Sequence, residues 1–392
     1  MDKHPLTSPL RGKYLIPFFI PYIMRRLFDT VLGIILIRSK VHNISSPRKI
    51  LLVNWAHLGD VVISTSIITI LKQSFPECQM GFLAGTWSKP VIEDHTLIDW
   101  VHYIDHWKLN RASLSKFKKI KIYLIMRYKA IKEIKAVGYE VAINLNYFVP
   151  SAIPVLWCAN IPVRIAYTSA GYAPMLTHKF DWRYENKHVT SYFINLLQPL
   201  DISQNVVKTL HYILLFNKVT DSLLVKNLIV NQRYVVIHIG SGSKVKEWSI
   251  KSWRELTLKM KGLEYRLFFT GLGLYEEQNV GKVIEGLDYC ENLCNKLNFK
   301  EYLELISHAS LLIGVDSLAG HLAATYNVPS VLIYSGIANI DQWKPLASNA
   351  FILTKKTACS PCFLANGCDD MECIKSITDK DVFMTVTSLL KK

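Results

Sequence analysis

Several signatures of common protein classes are missing from this 392-residue chain. It has no GxxxxGK(S/T) loop of the kind that binds phosphate in NTPases, and Gly271-Leu272-Gly273 is too short for a dinucleotide fingerprint. Its composition matches neither a disordered nor a collagen-like protein. We see no signal peptide, because charges interrupt the first apolar stretch and no small-residue cleavage site follows it. We therefore expect a cytoplasmic, reducing location.

Acidic residues are in short supply. The chain has 31 Asp and Glu against 46 Lys and Arg, which gives a net charge of +15. Such a balance attracts anionic lipid, nucleic acid or phosphorylated small molecules. Basic residues are not interleaved with aromatic ones along a groove, and no known nucleic-acid reader fold is indicated. Nucleic acid is therefore not an expected partner.

The length favours two domains, because a single core seldom grows beyond about 250 residues. Strand and helix patterns alternate in both halves, which predicts an α/β fold with two Rossmann-like, doubly wound domains that face a cleft. We expect an N-terminal segment at 1–45, domains at 46–205 and 206–376, and a helix within 377–392 that packs back toward the first domain. The predicted strands are Lys49–Asn54, Gln79–Ala84, Val141–Leu145, Tyr234–Ile239, Arg266–Thr270, Leu311–Val315 and Ser330–Tyr334.

The N-terminal segment contains an apolar stretch, residues 14–37, that is long enough to span a bilayer as a helix. Charged residues near its centre argue against spanning. Two alternatives remain: a helix that lies in the membrane interface with its basic residues on lipid phosphates, or a helix packed on the protein's own core. The charged residues concerned are Arg25, Arg26, Asp29, Arg38 and Lys40.

Residues 116–135 predict a second amphipathic helix, which is rich in lysine. Its apolar residues fall on one face, and the lysines spread over the rest. The helix is either a solvated outer helix of the first domain or a membrane-facing patch. The apolar face consists of Phe117, Ile120, Leu124, Ile131 and Ile134.

The loop after the first predicted strand, from Asn54 to Asp60, carries candidate acid–base residues. It joins a strand to a helix and so lies at the carboxyl edge of the sheet, where ligands bind in open α/β folds. Gly59 allows a tight turn or the close approach of a ligand. Asp60 can take a proton from an attacking hydroxyl, with His57 as a rival base. The alternative is that Asp60 only caps the following helix.

Two loops of the second domain are candidates for binding a diphosphate. Residues 240–248 offer hydroxyls from Ser241 and Ser243 and a positive charge from Lys246. Residues 315–321 open a helix, whose N-terminus favours anions. The alternatives are a flexible surface turn for the first loop, and an N-cap serine with a core histidine for the second. The second loop contains Asp316, Ser317, Leu318, Ala319, Gly320 and His321.

The order of the motifs HLGD, GSGSKVKEW, TGLGLYEE and IGVDSLAGHLAA resembles the bacterial heptosyltransferases of glycosyltransferase family 9, over residues 49–386. The resemblance implies the glycosyltransferase B fold. It also implies an inverting, metal-independent transfer of heptose from ADP-heptose to a lipopolysaccharide inner-core sugar. Asp60 matches the general base of that family, which leaves Asn54, His57 and Gly59 on the acceptor side.

The same resemblance assigns donor-binding roles in the second domain. It implies that Lys246 contacts the donor phosphate, Glu276 the ribose and Leu297 the nucleobase. Residues 316–321 match the loop that holds the diphosphate and the sugar. The chain departs from the family pattern at Leu318, where glycine is usual, at Asn54, where a basic residue often ends the first strand, and at Ser249, which replaces a proline.

A cysteine-rich segment spans residues 359–373, and its first pair has the spacing of metal ligands. The four thiolates could hold a structural zinc or iron ion, with reduced surface thiols or a disulfide as alternatives. No cofactor is expected to take part in catalysis. The four residues are Cys359, Cys362, Cys368 and Cys373.

The expected function is therefore sugar transfer onto a lipopolysaccharide core or a related cell-surface glycan. The alternatives are a family member that uses another nucleotide sugar, or a catalytically silent, membrane-associated scaffold of the same fold. The expected partners are a nucleotide-diphosphate sugar, a lipid-linked or lipopolysaccharide acceptor and an anionic membrane surface. This places the protein on the cytoplasmic face of the bacterial inner membrane.

Overall fold

The computed structural model describes residues 19–36, 44, 46–148, 150–207, 211–212, 214, 222–230, 232–364 and 366–390. The chain divides into two compact units, Met1–Asn217 and Lys218–Lys392. Each unit contains a six-stranded sheet whose strands all run parallel. These two units confirm the predicted doubly wound α/β fold, whereas the cleft between them stays a prediction.

In the first unit, the central strand β1 (Lys49–Val53) is buried on both faces of the sheet, as its continuous apolar run predicts. Its strands are β1 (Lys49–Val53), β2 (Gln79–Ala84), β3 (Trp100–Tyr103), β4 (Val141–Asn144), β5 (Val163–Tyr167) and β6 (His178–Phe180). They are arranged in the order β3-β2-β1-β4-β5-β6. Its helices are α1 (Phe19–Ile35), α2 (Leu58–Ser74), α3 (Lys89–Ile92), α4 (Lys116–Val137), α5 (Ile153–Cys158), α6 (Val189–Asn195) and α7 (Gln204–Val207).

The edge strands β3 and β6 and the neighbouring strand β5 were not predicted, because polar residues interrupt their apolar pattern. Arg164 in β5 is the clearest case, since it is buried. Its Nε donates to the carbonyl oxygen of Met175 at 2.6 Å, and another guanidinium nitrogen donates to the carbonyl of Ile161. A buried arginine is tolerated here because backbone carbonyls satisfy its donors.

Helix α1 packs one face against the first unit. Its buried Asp29 pairs with Arg25 (Nε–Oδ1, 3.5 Å) and accepts the backbone N–H of Tyr172 at 3.0 Å. Leu32 and Leu36 pack against a small apolar cluster that includes Met175. This supports packing on the protein's own core, and it shows that Arg25 does not point freely into solvent.

The opposite face of α1 is exposed and apolar. Ile20 is 70% exposed and Ile34 is 80% exposed, with further apolar residues between them at helical spacing. No helix in the described part of the chain has the length and apolar character needed to cross a membrane. Arg38 and Lys40 lie outside the described residues. The exposed apolar residues of α1 are Ile20, Met24, Leu27, Phe28, Val31, Ile34 and Ile35.

Helix α4 changes character along its length. Ile134, near its C-terminal end, is fully buried in the core of the first unit, whereas Phe117 is 87% exposed and Leu124 is also exposed. The predicted apolar face is therefore only partly a core face. Ile125 and Tyr128 are exposed as well, so the first half of α4 presents apolar side chains among its lysines.

The second unit repeats the architecture with the strand order β12-β11-β10-β7-β8-β9. These strands are β7 (Tyr234–His238), β8 (Arg266–Thr270), β9 (Cys290–Asn292), β10 (Leu311–Val315), β11 (Ser330–Ile333) and β12 (Ala350–Leu353). The helices are α8 (Leu223–Ile229), α9 (Ile250–Met260), α10 (Leu274–Ile284), α11 (Phe299–Ser307), α12 (Leu318–Thr325), α13 (Ile340–Trp343), α14 (Glu372–Lys375) and α15 (Asp379–Leu390).

The C-terminal helix α15 packs within the second unit. Val382 and Val386 are buried in the core that the central strands form with α9. Lys259 on α9 pairs with Asp379 at the start of α15. Its predicted approach to the first unit stays a prediction.

Candidate functional site

Asp60 lies in the first turn of α2, directly after the loop that ends β1. Its Oδ2 accepts the backbone N–H of His57, the N-cap residue, at 3.0 Å. This contact satisfies a donor at the helix start, and the negative charge suits the positive end of the helix. Asp60 is half-buried, so the carboxylate also keeps access to solvent. The geometry thus accommodates both roles considered for Asp60, the cap and the base.

Asn54 locks this loop to the helix. Its buried amide donates to Ser64 Oγ at 2.7 Å and to the carbonyl of Asp60 at 3.3 Å, and its oxygen accepts the N–H of Ala56 at 3.1 Å. Gly59 lies between these contacts, in the first turn of α2. Asn54 therefore sets the position of Asp60 through the loop backbone.

His57 lies on the exposed side of the same loop. Its Nε2 is 3.1 Å from a guanidinium nitrogen of Arg111, which sequence reasoning did not single out. Arg111 lies 54 residues further along, between β3 and α4, so no local pattern connects the two. The pair places a permanent positive charge beside the Asp60 loop.

Lys246 and Asp316 meet at the carboxyl edge of the second sheet. Lys246 Nζ lies 2.7 Å from Asp316 Oδ2, and their side chains are 29% and 11% exposed. Ser241 Oγ donates to the carbonyl of Asp316 at 3.3 Å and lies 3.4 Å from the N–H of Ser243. The two predicted donor loops, which are about 70 residues apart in sequence, therefore form one cluster.

The loop that carries Lys246 is anchored by Trp248. This residue is buried, its indole N–H donates to the carbonyl of Ile377 at 2.9 Å, and its ring packs edge-on against Trp253. Ser249, the residue that replaces the usual proline, caps α9 by accepting the N–H of Ser252 at 3.0 Å. The loop is thus fixed at its C-terminal side, and the alternative of a flexible surface turn loses support.

Helix α12 begins at the Lys246–Asp316 pair. Ser317 is its N-cap residue by position, but its buried hydroxyl makes no hydrogen bond among the described residues. Leu318 is half-buried at the first position of the helix, and Ala319 and His321 are buried behind it. An orphaned hydroxyl at a helix N-terminus is suited to an anionic ligand oxygen.

Gly320 has a structural reason for lacking a side chain. A Cβ there would stand 2.7 Å from a methyl of Leu332 and 3.3 Å from Pro345. The glycine therefore lets α12 pack closely on β11, and no close approach of a ligand is needed to explain it.

Glu276 belongs to the same cluster. Its carboxylate fills the space that a side chain would occupy at both Gly240 and Gly271, and its Oε2 accepts the N–H of Leu272 at 2.9 Å. Burial raises the pKa of Glu276, and the nearby Glu247 carboxylate adds to the effect, while the Leu272 N–H opposes it. Because Gly240 and Gly271 have no side chains, the Glu276 carboxylate fits between the loops that follow β7 and β8.

Leu297 lies on the loop that follows β9, half-buried and next to the N-cap of α11. Asn295 ties this loop to the preceding one, because its side chain accepts the N–H of Gly273 at 2.7 Å and donates to Glu277 at 2.8 Å. Leu297 therefore occupies the strand-end edge shared by the other donor candidates.

A polar trio formed by the ends of β7 and β8 with α11 was missed by sequence reasoning. His238 Nδ1 lies 3.2 Å from Thr270 Oγ1 and 3.3 Å from the hydroxyl of Tyr302. Burial lowers the pKa of His238 to about 4, so the ring is neutral at pH 7. A histidine that ends an apolar strand was the available signal.

The four cysteines of the C-terminal segment do not form a metal site. Among the described residues, no group of three or more His, Cys, Asp or Glu side chains is arranged to hold a metal ion. Cys373 is buried in α14, whereas Cys359 and Cys368 are exposed. The predicted zinc or iron site is therefore not supported, because the turns of this segment place the thiols in different environments.

Two doubly wound α/β units, with an acid after a strand of one and a lysine and a helix N-terminus after strands of the other, fit a two-domain glycosyltransferase. A sequence profile of glycosyltransferase family 9 (heptosyltransferase) matches residues 127–370, and the chain belongs to that family.

Relatives extend this similarity beyond the matched segment. Lipopolysaccharide heptosyltransferase 3 of Escherichia coli K12 is 24% identical over 312 residues, which cover 74% of this chain and 83% of the relative. The structure of E. coli ADP-heptose LPS heptosyltransferase II superposes with a TM-score of 0.67 at 18% identity, over 88% of this chain and 98% of that one. A family 9 glycosyltransferase from Veillonella parvula gives a TM-score of 0.70 at 17% identity, over 90% and 99%.

Proposed function

We propose that this protein transfers heptose from ADP-heptose to a lipopolysaccharide core sugar with inversion at the anomeric carbon. Two relatives named above are lipopolysaccharide heptosyltransferases, and one carries ADP-heptose in its name. The observation that carries the proposal is the Lys246–Asp316 pair at the N-terminus of α12. A lysine beside a helix N-terminus is an arrangement that holds a diphosphate.

The proposed reaction forms one bond and breaks one bond. The acceptor hydroxyl oxygen attacks the anomeric carbon, the bond from that carbon to the diphosphate breaks, and the hydroxyl proton passes to Asp60. Negative charge grows on the departing diphosphate. Lys246, the N-terminus of α12 and the hydroxyl of Ser317 stabilise that charge, and the scheme requires no metal ion.

Within the donor cluster, Glu276 is proposed to bind the ribose hydroxyls and Leu297 to contact the nucleobase. Support comes from the position of Glu276, whose carboxylate lies between the loops of Gly240 and Gly271. A carboxylate accepts hydrogen bonds from vicinal hydroxyls, which is the chemistry that ribose offers.

The acceptor is proposed to be lipid-linked, and the protein to work on an anionic membrane surface at the cytoplasmic face of the inner membrane. Helix α1 and the first half of α4 both expose apolar side chains, and both carry basic residues beside them. Apolar contact combined with positive charge is the basis of interfacial binding to anionic lipid. The net charge of +15 favours the same partner.

The test compares Lys246→Met with the control Lys251→Met. Lys251 is an exposed residue of α9, and its substitution removes the same charge. Titration with ADP-heptose should show roughly a 10- to 100-fold loss of affinity for Lys246→Met, and little change for Lys251→Met. Wild-type protein should also turn over ADP-heptose with truncated lipopolysaccharide.

Other outcomes would replace parts of the proposal. Tight binding of a different nucleotide sugar, without ADP-heptose binding, would keep the transferase and change the donor. Binding of ADP-heptose without turnover on any acceptor would favour the catalytically silent scaffold. Equal affinity of the two lysine variants would remove Lys246 from the donor site.

A further inference from the structure

A cavity of about 380 Å³ lies in the first unit beneath helix α1. Its walls come from α1, α4 and α5 and from the loops that follow β3, β4 and β5. These loops leave the carboxyl edge of the sheet, the same edge that carries Asp60. The volume falls within the range of about 300–1,000 Å³ that is usual for small-molecule sites.

The lining is positively charged. Arg25, Lys108 and Arg127 contribute to it, and the lining residues include no carboxylate in the described part of the chain. Asp29 offsets part of the charge of Arg25 from behind, at 3.5 Å. Burial and the neighbouring Lys108 lower the pKa of His106, also in the lining, to about 4, so its ring adds no charge at pH 7.

One of these cations has an unused donor. The Nε atom of Arg127 is buried and has no hydrogen-bond partner among the described residues, whereas the Nε of Arg25 faces Asp29 Oδ1 at 3.5 Å. Buried guanidinium donors are normally satisfied, so an unsatisfied donor in a cavity lined by two arginines and a lysine points to an anionic ligand.

The fold holds Arg25 in this place. Its guanidinium stacks on the ring of Tyr172 with Cζ 3.5 Å from the centroid, and it occupies the space that a side chain at Gly171 would fill. Gly171 has a φ of +80°, which other residues rarely adopt. Because packing orders the side chain in advance, a ligand would not have to order it.

The cavity also adjoins the Asp60 loop. Trp55, in that loop, donates its indole N–H to the carbonyl of Pro150 at 3.1 Å, and Pro150 lines the cavity. Arg25 brings α1 into the same lining, and the outer face of that helix is apolar and exposed. The cavity is thus lined both by the helix proposed to meet lipid and by a residue that Trp55 of the Asp60 loop contacts.

We propose that this cavity binds a phosphate group of the lipid-linked acceptor and thereby positions the acceptor for transfer. The proposal rests on the proposed transferase function, which it deepens by assigning an acceptor subsite formed in part by α1. The cavity chemistry would suit a phospholipid headgroup or inorganic phosphate equally well, so the experiment must separate these sources.

The first arm needs no turnover. Inorganic phosphate is titrated calorimetrically into wild type, Arg127→Gln, Arg127→Lys and Lys135→Gln, the last being an exposed residue in the final turn of α4. Arg127→Gln should weaken binding roughly 10- to 100-fold, Arg127→Lys should recover part of the loss, and Lys135→Gln should match wild type. Unchanged phosphate binding in Arg127→Gln would overturn the site.

The second arm uses truncated lipopolysaccharide in detergent, before and after enzymatic removal of its phosphate monoesters. Arg127→Gln and Arg25→Gln should raise the KM for the phosphorylated acceptor roughly tenfold or more and leave the KM for the dephosphorylated acceptor unchanged. The control Lys251→Gln removes an exposed charge from α9 in the second unit and should behave as wild type. An equal effect on both acceptors would overturn the assignment.

The third arm addresses the membrane source. If Arg127→Gln lowers binding to phosphatidic acid vesicles but leaves the KM for the acceptor unchanged, the cavity takes a lipid headgroup and the acceptor assignment fails. The absence of any turnover by wild type, with phosphate binding intact in the first arm, would refute the transferase proposal and leave the phosphate site standing.

Discussion

Asp60 offers a way to separate a structural role from a catalytic one, because two substitutions divide its functions. Asp60→Asn keeps a side-chain oxygen that can accept the N–H of His57, a contact of 3.0 Å in the native chain, but it cannot take a proton at neutral pH. Asp60→Ala removes both the acceptor and the base. If Asp60 is the general base, the two variants should lose activity alike and differ in stability.

The magnitudes follow from the position of Asp60 in the first turn of α2. Loss of the carboxylate charge at a helix N-terminus costs about 0.3–1 kcal/mol, which is the expected loss for Asp60→Asn. Loss of the capping hydrogen bond adds about 1 kcal/mol for Asp60→Ala. Loss of a general base lowers kcat by roughly 10²- to 10⁴-fold in both.

The assay combines urea unfolding with steady-state turnover of ADP-heptose on truncated lipopolysaccharide, and a titration of the donor checks that its binding is retained. Glu77→Gln, an exposed acid beyond the other end of α2, controls for the change in net charge. If Asp60→Asn keeps nearly full kcat, while Asp60→Ala loses activity in proportion to its stability, Asp60 is a helix cap and the base lies elsewhere.

Two further predictions concern packing and pH. Gly240→Ala should lower the free energy of unfolding by about 1 kcal/mol, because its Cβ displaces the Glu276 carboxylate, the end of a flexible side chain; Gly262→Ala, where the space is open, should change it little. The double variant Gly240→Ala/Glu276→Ala should recover most of the loss, and no recovery would contradict the collision. Burial lowers the pKa of His106 from 6.5 to about 4, so the folded state binds its proton less well than the unfolded state, and stability should fall from pH 6.5 to pH 4. His106→Phe should flatten that decline by about 1–2 kcal/mol after allowance for screening; an unchanged slope in urea unfolding would contradict it.

The sequence predicted the central strands of both sheets because they are continuous apolar runs. Strands β2, β8 and β10 have the predicted bounds, and β1, β4, β7 and β11 each end one residue earlier. A strand of a parallel sheet that is buried on both faces needs such a run, and the run can be recognised within a few consecutive residues. For the same reason, the strand pattern alone places the loops that follow these strands at one edge of each sheet.

Strands at or next to the sheet edges and surface helices were harder to predict. Strand β5 contains the buried Arg164, which carbonyls from other parts of the chain satisfy. Helix α4 has an apolar pattern that suggests one core face, but only Ala130 and Ile134 are buried. Periodicity shows that the apolar residues share one face of the helix, whereas their burial depends on how far the neighbouring elements extend along that face.

The sequence by itself determined the two-domain α/β fold and the order of the loops, since strand and helix signals depend on residues close in the chain. Only the tertiary structure decided which distant residues meet. It paired Lys246 with Asp316, placed Glu276 against Gly240, and set Arg25 and Arg127 in one cavity. Among the described residues it groups no three of the four cysteines to hold a metal ion, although their spacing allowed this. Contacts between distant segments depend on packing in three dimensions, which sequence spacing does not specify.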